Sequence, residues 1–176
     1  MKDYFMKTDR IGFSTWKSDD IILAHKLWGE KNVTKFICSN GIFSDDDIKN
    51  RLSVEVNNME KYNIQYWPIF DLFNEDLIGC CGLRPFDSDV NAYELGCHLR
   101  EKYWGQGYAL EGIKAVIKYA FNELNASKIY AGHHPNNIGS KKLLEKIDGI
   151  KYIGKKFYEP TGLYHPAYEI ENYIKK

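Results

Sequence analysis

The chain has 176 residues, the size of one domain with a single buried core, and we expect that domain to cover 1–176. Its 24 basic residues balance 24 acidic ones, which gives no electrostatic warrant for nucleic acid or a membrane surface as a partner. No run of about 18 apolar residues is present to cross a bilayer, and Met1 to Lys7 lack the apolar stretch of a secretory signal. The four cysteines (Cys38, Cys80, Cys81 and Cys97) have neither zinc nor redox spacing, so reduced, buried thiols in a cytoplasmic protein without a metal are expected.

In chain order, Ile11–Trp16 alternates as a strand. Ser18-Asp19-Asp20 then starts a helix, with a capping hydroxyl and acids for its first turn, and Ile21 to Trp28 keep helical spacing. Val33, Phe36 and Ile37 suggest another short helical turn. Ser44-Asp-Asp-Asp47 opens an amphipathic helix with Ile48, Leu52, Val56 and Met59 on one face. Gln65–Asp71 and Leu77–Leu83 form a hairpin, and Pro68 places the first of these strands at an edge or bulge. Adjacent Cys80 and Cys81 point to opposite faces of the second. Pro85 to Asn91 reads as a turn and Ala92–Leu99 as a strand. Beyond Gly105 and Gly107, the residues Ala109, Ile113, Val116, Ile117, Ala120 and Leu124 share a helix face. Lys128–His133 is a short strand, and pairing it with Ala92–Leu99 through the intervening helix makes a right-handed parallel unit. Asn136 and Asn137 cap a helix over Ile138–Ile147, and Lys151–Tyr158 and Ala167–Tyr173 are the last strands, flanking a connection over Glu159–Pro166. The sum is an α/β layer fold with a mixed, mostly antiparallel sheet of about six to seven strands and flanking helices.

The informative stretch is Gly105-Gln106-Gly107-Tyr108-Ala109, between a strand and a helix. Glycines at a helix start let the backbone approach a ligand, and the first N–H groups of the helix form an anion site. A phosphate-bearing ligand is the natural expectation. A Walker loop would need lysine and a hydroxyl after Gly107, where Tyr108 and Ala109 stand. A dinucleotide fingerprint would need a third glycine at Leu110 and an acid on the next strand, and neither is present.

A wider span carries more. Glu94-Leu-Gly-Cys-His-Leu-Arg-Glu-Lys-Tyr-Trp-Gly-Gln-Gly-Tyr-Ala-Leu-Glu111 resembles the branch of GNAT N-acetyltransferases that includes the RimJ/RimL ribosomal-protein enzymes. Pro135-Asn-Asn-Ile-Gly-Ser-Lys-Lys-Leu-Leu-Glu-Lys-Ile147 resembles the second cofactor motif of that branch, and the similarity runs from about Asp9 to Ile174. Trp104 departs from the wider family's Gln/Arg at the first position of the coenzyme A loop but is usual in this branch. The resemblance implies the GNAT fold, in which two central parallel strands splay and the pantetheine arm of acetyl-CoA, the co-substrate, lies in the gap. It implies a pyrophosphate held by the backbone of Gly105, Gln106, Gly107, Tyr108 and Ala109, with Tyr103 and Trp104 packed beside it. It implies pantetheine amides paired with the backbone of Cys97 and Leu99, Asn137 bonded to the same arm, and Ser140 near the sulfur.

The implied reaction is direct attack of a primary amine, a protein N-terminus or a small amine, on the thioester in a ternary complex. It calls for a base, an oxyanion site and an acid. Glu94 stands where the family often has a glutamate near the acceptor, and His133 or His134 is the alternative base. The glutamate that many members carry on the following strand is replaced by Gly132, and the tyrosine that protonates the thiolate by Leu144; the resemblance to this branch implies Ser140 as the acid instead, a first-turn hydroxyl bonded to the backbone being its other reading. By resemblance, Phe36, Ile42 and Phe43, with Tyr158, Thr161, Tyr164 and His165, border the acceptor; core packing or a plain strand connection is the other reading of these residues. Two further readings stay open: a non-catalytic acyl-CoA-binding regulator, motivated by those two replacements, and a nucleotide-binding module. The oligomeric state, a homodimer included, is open too.

Overall fold

The computed structural model describes residues 3–172, so Met1, Lys2 and the expected strand residue Tyr173, with the far end of the resemblance at Ile174, lie outside the described part. The elements are β1 (Met6–Lys7), β2 (Ile11–Phe13), α1 (Ile21–Trp28), α2 (Lys31–Thr34), α3 (Asp45–Tyr62), β3 (Tyr66–Asp71), β4 (Leu77–Asp87) and β5 (Ala92–Leu99). A 3-10 turn (Glu101–Tyr103), α4 (Tyr108–Asn122), β6 (Lys128–Gly132), α5 (Ile138–Leu144), β7 (Lys151–Tyr158) and β8 (Leu163–Glu171) complete the order. They build one sheet in the order β1-β2-β3-β4-β5-β6-β8-β7, eight strands where six to seven were expected. The eighth is the two-residue β1, too short for any periodicity to reveal.

Strand alternation sorts the apolar residues into two cores. Tyr66, Phe70, Leu77 and Cys80 pack with Leu27, Trp28, Ile48 and Leu52 of α1 and α3. Trp67, Ile69, Ile78 and Cys81 pack with Ile113, Val116 and Ala120 of α4 and Leu144 of α5. Cys80 and Cys81 thus face opposite layers, as the strand period requires. All four cysteines are free thiols, but only these two are buried; Cys38 and Cys97 are half-buried, contrary to the expectation for the set.

Several boundaries differ from the sequence expectation for identifiable reasons. Pro68 lies in an internal strand, not at an edge, since β3 pairs with both β2 and β4, and the bulge that was the other expectation follows it between Ile69 and Phe70. The proline is accommodated because β2 stops at Phe13: the next residue, Ser14, donates its N–H to the Pro68 carbonyl at 3.0 Å, and no reciprocal donor is required. β4 runs on through Pro85, which pairs with Tyr93 just before a bulge. β8 begins at Leu163, so Tyr164 and His165 belong to a strand; the connection that precedes it is short and contains Gly162 at φ +67. Asp20, not Ser18, is the α1 cap, and its carboxylate accepts from the Lys17 N–H at 2.8 Å. Helix α3 does open with the Ser44–Asp47 capping box.

Candidate active site

The parallel β5–β6 pair holds only for Ala92–Lys128, Tyr93–Ile129 and Glu94–Tyr130. Beyond Glu94 the strands part. On the far side of β5, Leu99 pairs with Gly79 while the Arg100 N–H donates to the Ile78 carbonyl at 2.9 Å. That phasing makes Leu99–Gly79 a non-hydrogen-bonded pair of the antiparallel ladder. The N–H and C=O of Leu99, and by the two-residue period those of Cys97, therefore point away from β4 and into the gap left by β6. The gap opens into a cleft of about 880 Å³ that runs between the glycine turn and Glu94.

The turn is built to stay open. Gly105 and Gly107 take φ of +71° and +84°, and Gly107 caps α4 with no side chain over the helix N-terminus. Arg10 braces it from the N-terminal segment. Its Nη1 donates to the Gln106 carbonyl at 3.0 Å, its Nε donates to Glu111 at 2.7 Å, and its guanidinium lies 4.2 Å from the centre of the Tyr108 ring. Burial works against the charge on Glu111, but hydrogen bonds from Thr8 and Arg10 prevail and lower its pKa. The Tyr108 hydroxyl is anchored on Asp71 at 2.6 Å. Arg10 was missed in the sequence because it lies almost 100 positions from the loop it holds.

Of the residues singled out beforehand, Glu94, Cys97, Leu99, Trp104, Gly105, Gly107, Ala109, Asn137 and Ser140 line this one cleft. Gln106 and Tyr108 do not; the Gln106 side chain turns back to the Lys102 carbonyl at 2.7 Å. Trp104 is half-exposed, and its indole N–H donates to the Leu99 carbonyl at 2.8 Å, so the N–H of Leu99 and both polar groups of Cys97 remain directed at the gap. The Asn137 carboxamide oxygen caps α5 by accepting the Ser140 N–H at 3.0 Å, which leaves its NH2 group for the cleft. Phe36, Tyr158 and His165 are lining residues, whereas Ile42, Phe43, Thr161 and Tyr164 are not; Phe43 packs in the core against α1 and α3.

Glu94 sits on the α1–α3 side of the sheet. Tyr66 donates to it at 2.8 Å, passing over Gly96, where an added Cβ would fall 2.2 Å from the tyrosine Cζ. Burial, then the Glu94 carboxylate, raise the Tyr66 pKa well above its ordinary value, so the phenol stays a donor. Beneath it the fully buried Glu55 accepts from Arg84 at 2.6 Å, from Arg51 at 3.0 Å and from the Tyr66 N–H at 2.8 Å. Both guanidiniums lie against the Tyr66 ring, Arg84 at 4.4 Å and Arg51 at 5.3 Å from its centre. The phenol that holds Glu94 is thus flanked by the two guanidiniums that share Glu55.

Two of the histidines that line the cleft, His134 and His165, are held toward the neutral form. His134 Nδ1 accepts the Asn136 N–H at 3.1 Å, so its neutral form carries the proton on Nε2 and donates from there. Burial, with His133 nearby, lowers its pKa. His133 is buried with Nδ1 on the His134 carbonyl at 2.8 Å. His165 faces Thr161 at 2.7 Å, and burial with the two other histidines pushes it down to about 4. Among the described residues no cluster of three or more His, Cys, Asp or Glu is placed to hold a metal ion, and no helix is long and apolar enough to cross a membrane.

Residues 10–149 match the family model described as an acetyltransferase (GNAT) domain. The chain belongs to the GNAT acetyltransferase family. It is similar to the uncharacterized N-acetyltransferase p20 of Bacillus licheniformis, 26% identical over 141 residues that cover 80% of this chain and 79% of the relative. The crystal structure of a GNAT-family acetyltransferase from Bacillus anthracis superposes with a TM-score of 0.78 at 25% identity, covering 94% of this chain and 97% of the other. RimL, a ribosomal L7/L12 alpha-N-protein acetyltransferase, shares the fold with a TM-score of 0.81 at 11% identity, covering 98% and 96%. The parted strands, the glycine turn before α4 and the mixed sheet are this GNAT chain's version of that fold.

Proposed function

We propose that the chain, read as one domain, is an acetyl-CoA-dependent N-acetyltransferase of the RimJ/RimL-like branch, acting in the cytoplasm on a primary amine, either a protein N-terminus or a small amine. One observation carries the proposal: the backbone of Cys97 and Leu99 is directed into a gap that runs from a bare helix N-terminus to Glu94. The residues fit the co-substrate. The open turn at Gly105 and Gly107, with the N–H groups of Tyr108 and Ala109, suits a pyrophosphate. The Cys97 and Leu99 amides and the Asn137 NH2 suit the two amides of a pantetheine arm. When bound, acetyl-CoA supplies an activated acyl group, and the protein's part is positioning and proton transfer.

Glu94, held by Tyr66, is the base that takes a proton from the acceptor amine. Ser140, in the first turn of α5 on the wall of the cleft, is the donor to the departing sulfur. The neutral His134, with its proton on Nε2, adds a hydrogen-bond donor on the same wall. The acceptor reaches the site over the aromatic floor formed by Phe36, Tyr66, Tyr130 and Tyr158.

The test is calorimetric titration with acetyl-CoA, with ATP and NAD as controls and a folded Gly107→Glu variant beside it. Micromolar binding lost in the variant supports the reading; no binding to folded protein ends it. A second reading, an acyl-CoA-binding regulator without catalysis, is favoured by Gly132 and by the buried Leu144, which stand where other members carry acid–base groups. Turnover with any amine, reduced by Glu94→Gln and by Ser140→Ala at unchanged acetyl-CoA affinity, rules it out.

A further inference from the structure

One primary amine of the chain, on the exposed Lys156, lines the same cleft as Glu94. Lys156 belongs to β7 and pairs with His165 of β8, two strands away from β6. Its side chain reaches back across β8 and ends with Nζ 4.8 Å from the centre of the Tyr130 ring and 5.0 Å from that of Phe86. Those two rings stack on each other at 4.2 Å, and both line the cleft, as Lys156 does. Tyr130 is the residue paired with Glu94 at the last rung before β5 and β6 part, so its side chain is on the Glu94 face of the sheet. Lys142 and Lys146 line the cleft too, but they stand on α5 and just after it, and α5 packs its Leu144 against the opposite face.

We propose that Lys156 is a self-acetylation site, the chain's own intramolecular acceptor. This rests on the acetyltransferase reading above. In the step, Glu94 takes one proton from the Lys156 ammonium, and the neutral amine attacks the acetyl carbonyl carbon. A C–N bond forms and the C–S bond breaks, its electron pair leaving on sulfur. One further nitrogen proton is lost as the amide forms; the thiolate takes up one proton and the other goes to water. The products are Nε-acetyl-Lys156 and the free thiol of coenzyme A. The amide carries no charge, so the cation attraction that holds the side chain beside Phe86 and Tyr130 ends with the reaction.

Peptide-mapping mass spectrometry of the full chain incubated with acetyl-CoA tests this, and calorimetric acetyl-CoA affinity is measured on the same samples. The expected result is a 42 Da increment on Lys156 at least tenfold faster than on the solvent-facing Lys49 and Lys141. Its first-order rate should be independent of protein concentration and fall at least tenfold in Glu94→Gln, with acetyl-CoA affinity unchanged. Phe86→Ala, at the rim, should slow the mark without changing affinity. A Lys156 rate equal to that of the other lysines, or one that rises with protein concentration, overturns the proposal. Normal acetyl-CoA affinity without the mark removes self-acetylation alone; absent affinity removes the acetyltransferase reading beneath it.

Discussion

Tyr66 donates a 2.8 Å hydrogen bond to Glu94 across the bare Cα of Gly96. Tyr66, Gly82 and Gly96 follow one another across β3, β4 and β5, so the phenol ring lies along the sheet and its hydroxyl emerges at the carboxylate. A hydrogen bond to a charged acceptor is worth about 1.5–3 kcal/mol. Tyr66→Phe should therefore lower kcat/KM by roughly tenfold to a hundredfold, while calorimetric acetyl-CoA affinity stays within about twofold. Gly96→Ala should cost more, because its Cβ displaces the ring itself. Steady-state kinetics of both variants with one amine acceptor decide it; an unchanged Tyr66→Phe removes the phenol from the mechanism.

The anchor below that phenol is expected to dominate stability. Glu55 is fully buried and is the shared partner of Arg51 and Arg84, each of which has another buried nitrogen without a partner. Removing one member of a buried charge cluster leaves the others uncompensated, at about 3–5 kcal/mol. Glu55→Ala should lose that much in urea denaturation at pH 7, and Glu55→Gln less, since the amide oxygen still accepts. A loss under about 1 kcal/mol would mean that water reaches both guanidiniums.

Much of this architecture was legible from residues next to one another. The Ser44–Asp47 capping box, the apolar stripe of α4 and the alternation of β5 are local signals with local causes. The glycine turn announced an anion site for the same reason. What was not legible is what the sheet brings together. Arg10 meets Gln106, and Glu55 meets Arg84, only after β2, β3 and β4 have paired, and no spacing encodes those meetings. Pro68 was read as marking an edge or a bulge; the bulge lies one residue on, between Ile69 and Phe70, and where β2 ends explains why an internal strand accepts the proline. Cys97 and Leu99 were named from a resemblance, and it is the ladder phasing that shows where their amides point. Gln106 and Tyr108 were named for their backbone groups, and their side chains serve the loop's own framework.

Acid should destabilise the fold earlier than its carboxylates require. His98 is half-buried, accepts from the Trp28 indole at 3.3 Å, and has its pKa lowered well below the ordinary value by desolvation and then by Arg51 and Arg84. His134 is lowered too, and His165 falls to about 4. A depressed histidine binds its proton in the unfolded chain near pH 6.5 but not yet in the folded one. Stability is therefore full above that pH and declines as pH falls toward about 4. Each group adds a slope of at most about 1.4 kcal/mol per pH unit. The lowered carboxylates, Asp47, Asp71, Asp76 and Glu111, act only below their unfolded values near pH 4. Urea unfolding between pH 7 and pH 4.5 should show the decline, and His98→Gln, which keeps an acceptor for Trp28, should flatten it. A flat wild-type profile over that range would place these imidazoles in contact with solvent.

The two glycines of the turn should respond differently to the same methyl group. Both hold left-handed φ, so alanine costs either one roughly 1–2 kcal/mol of backbone strain. At Gly105 nothing lies within 4 Å of the new Cβ, whereas at Gly107 the Arg10 Nη2 is 3.3 Å away. Gly107→Ala therefore also presses on the guanidinium that holds the Gln106 carbonyl, and it stands directly under the first N–H groups of α4. Gly105→Ala is expected to weaken acetyl-CoA binding less than about tenfold, and Gly107→Ala by clearly more. Arg10→Ala, which frees the turn without blocking it, should fall between them. Calorimetry on the three variants orders them. If Gly105→Ala proves as damaging as Gly107→Ala and Arg10→Ala has no effect, backbone strain alone sets the turn and the Arg10 brace contributes nothing to the grip.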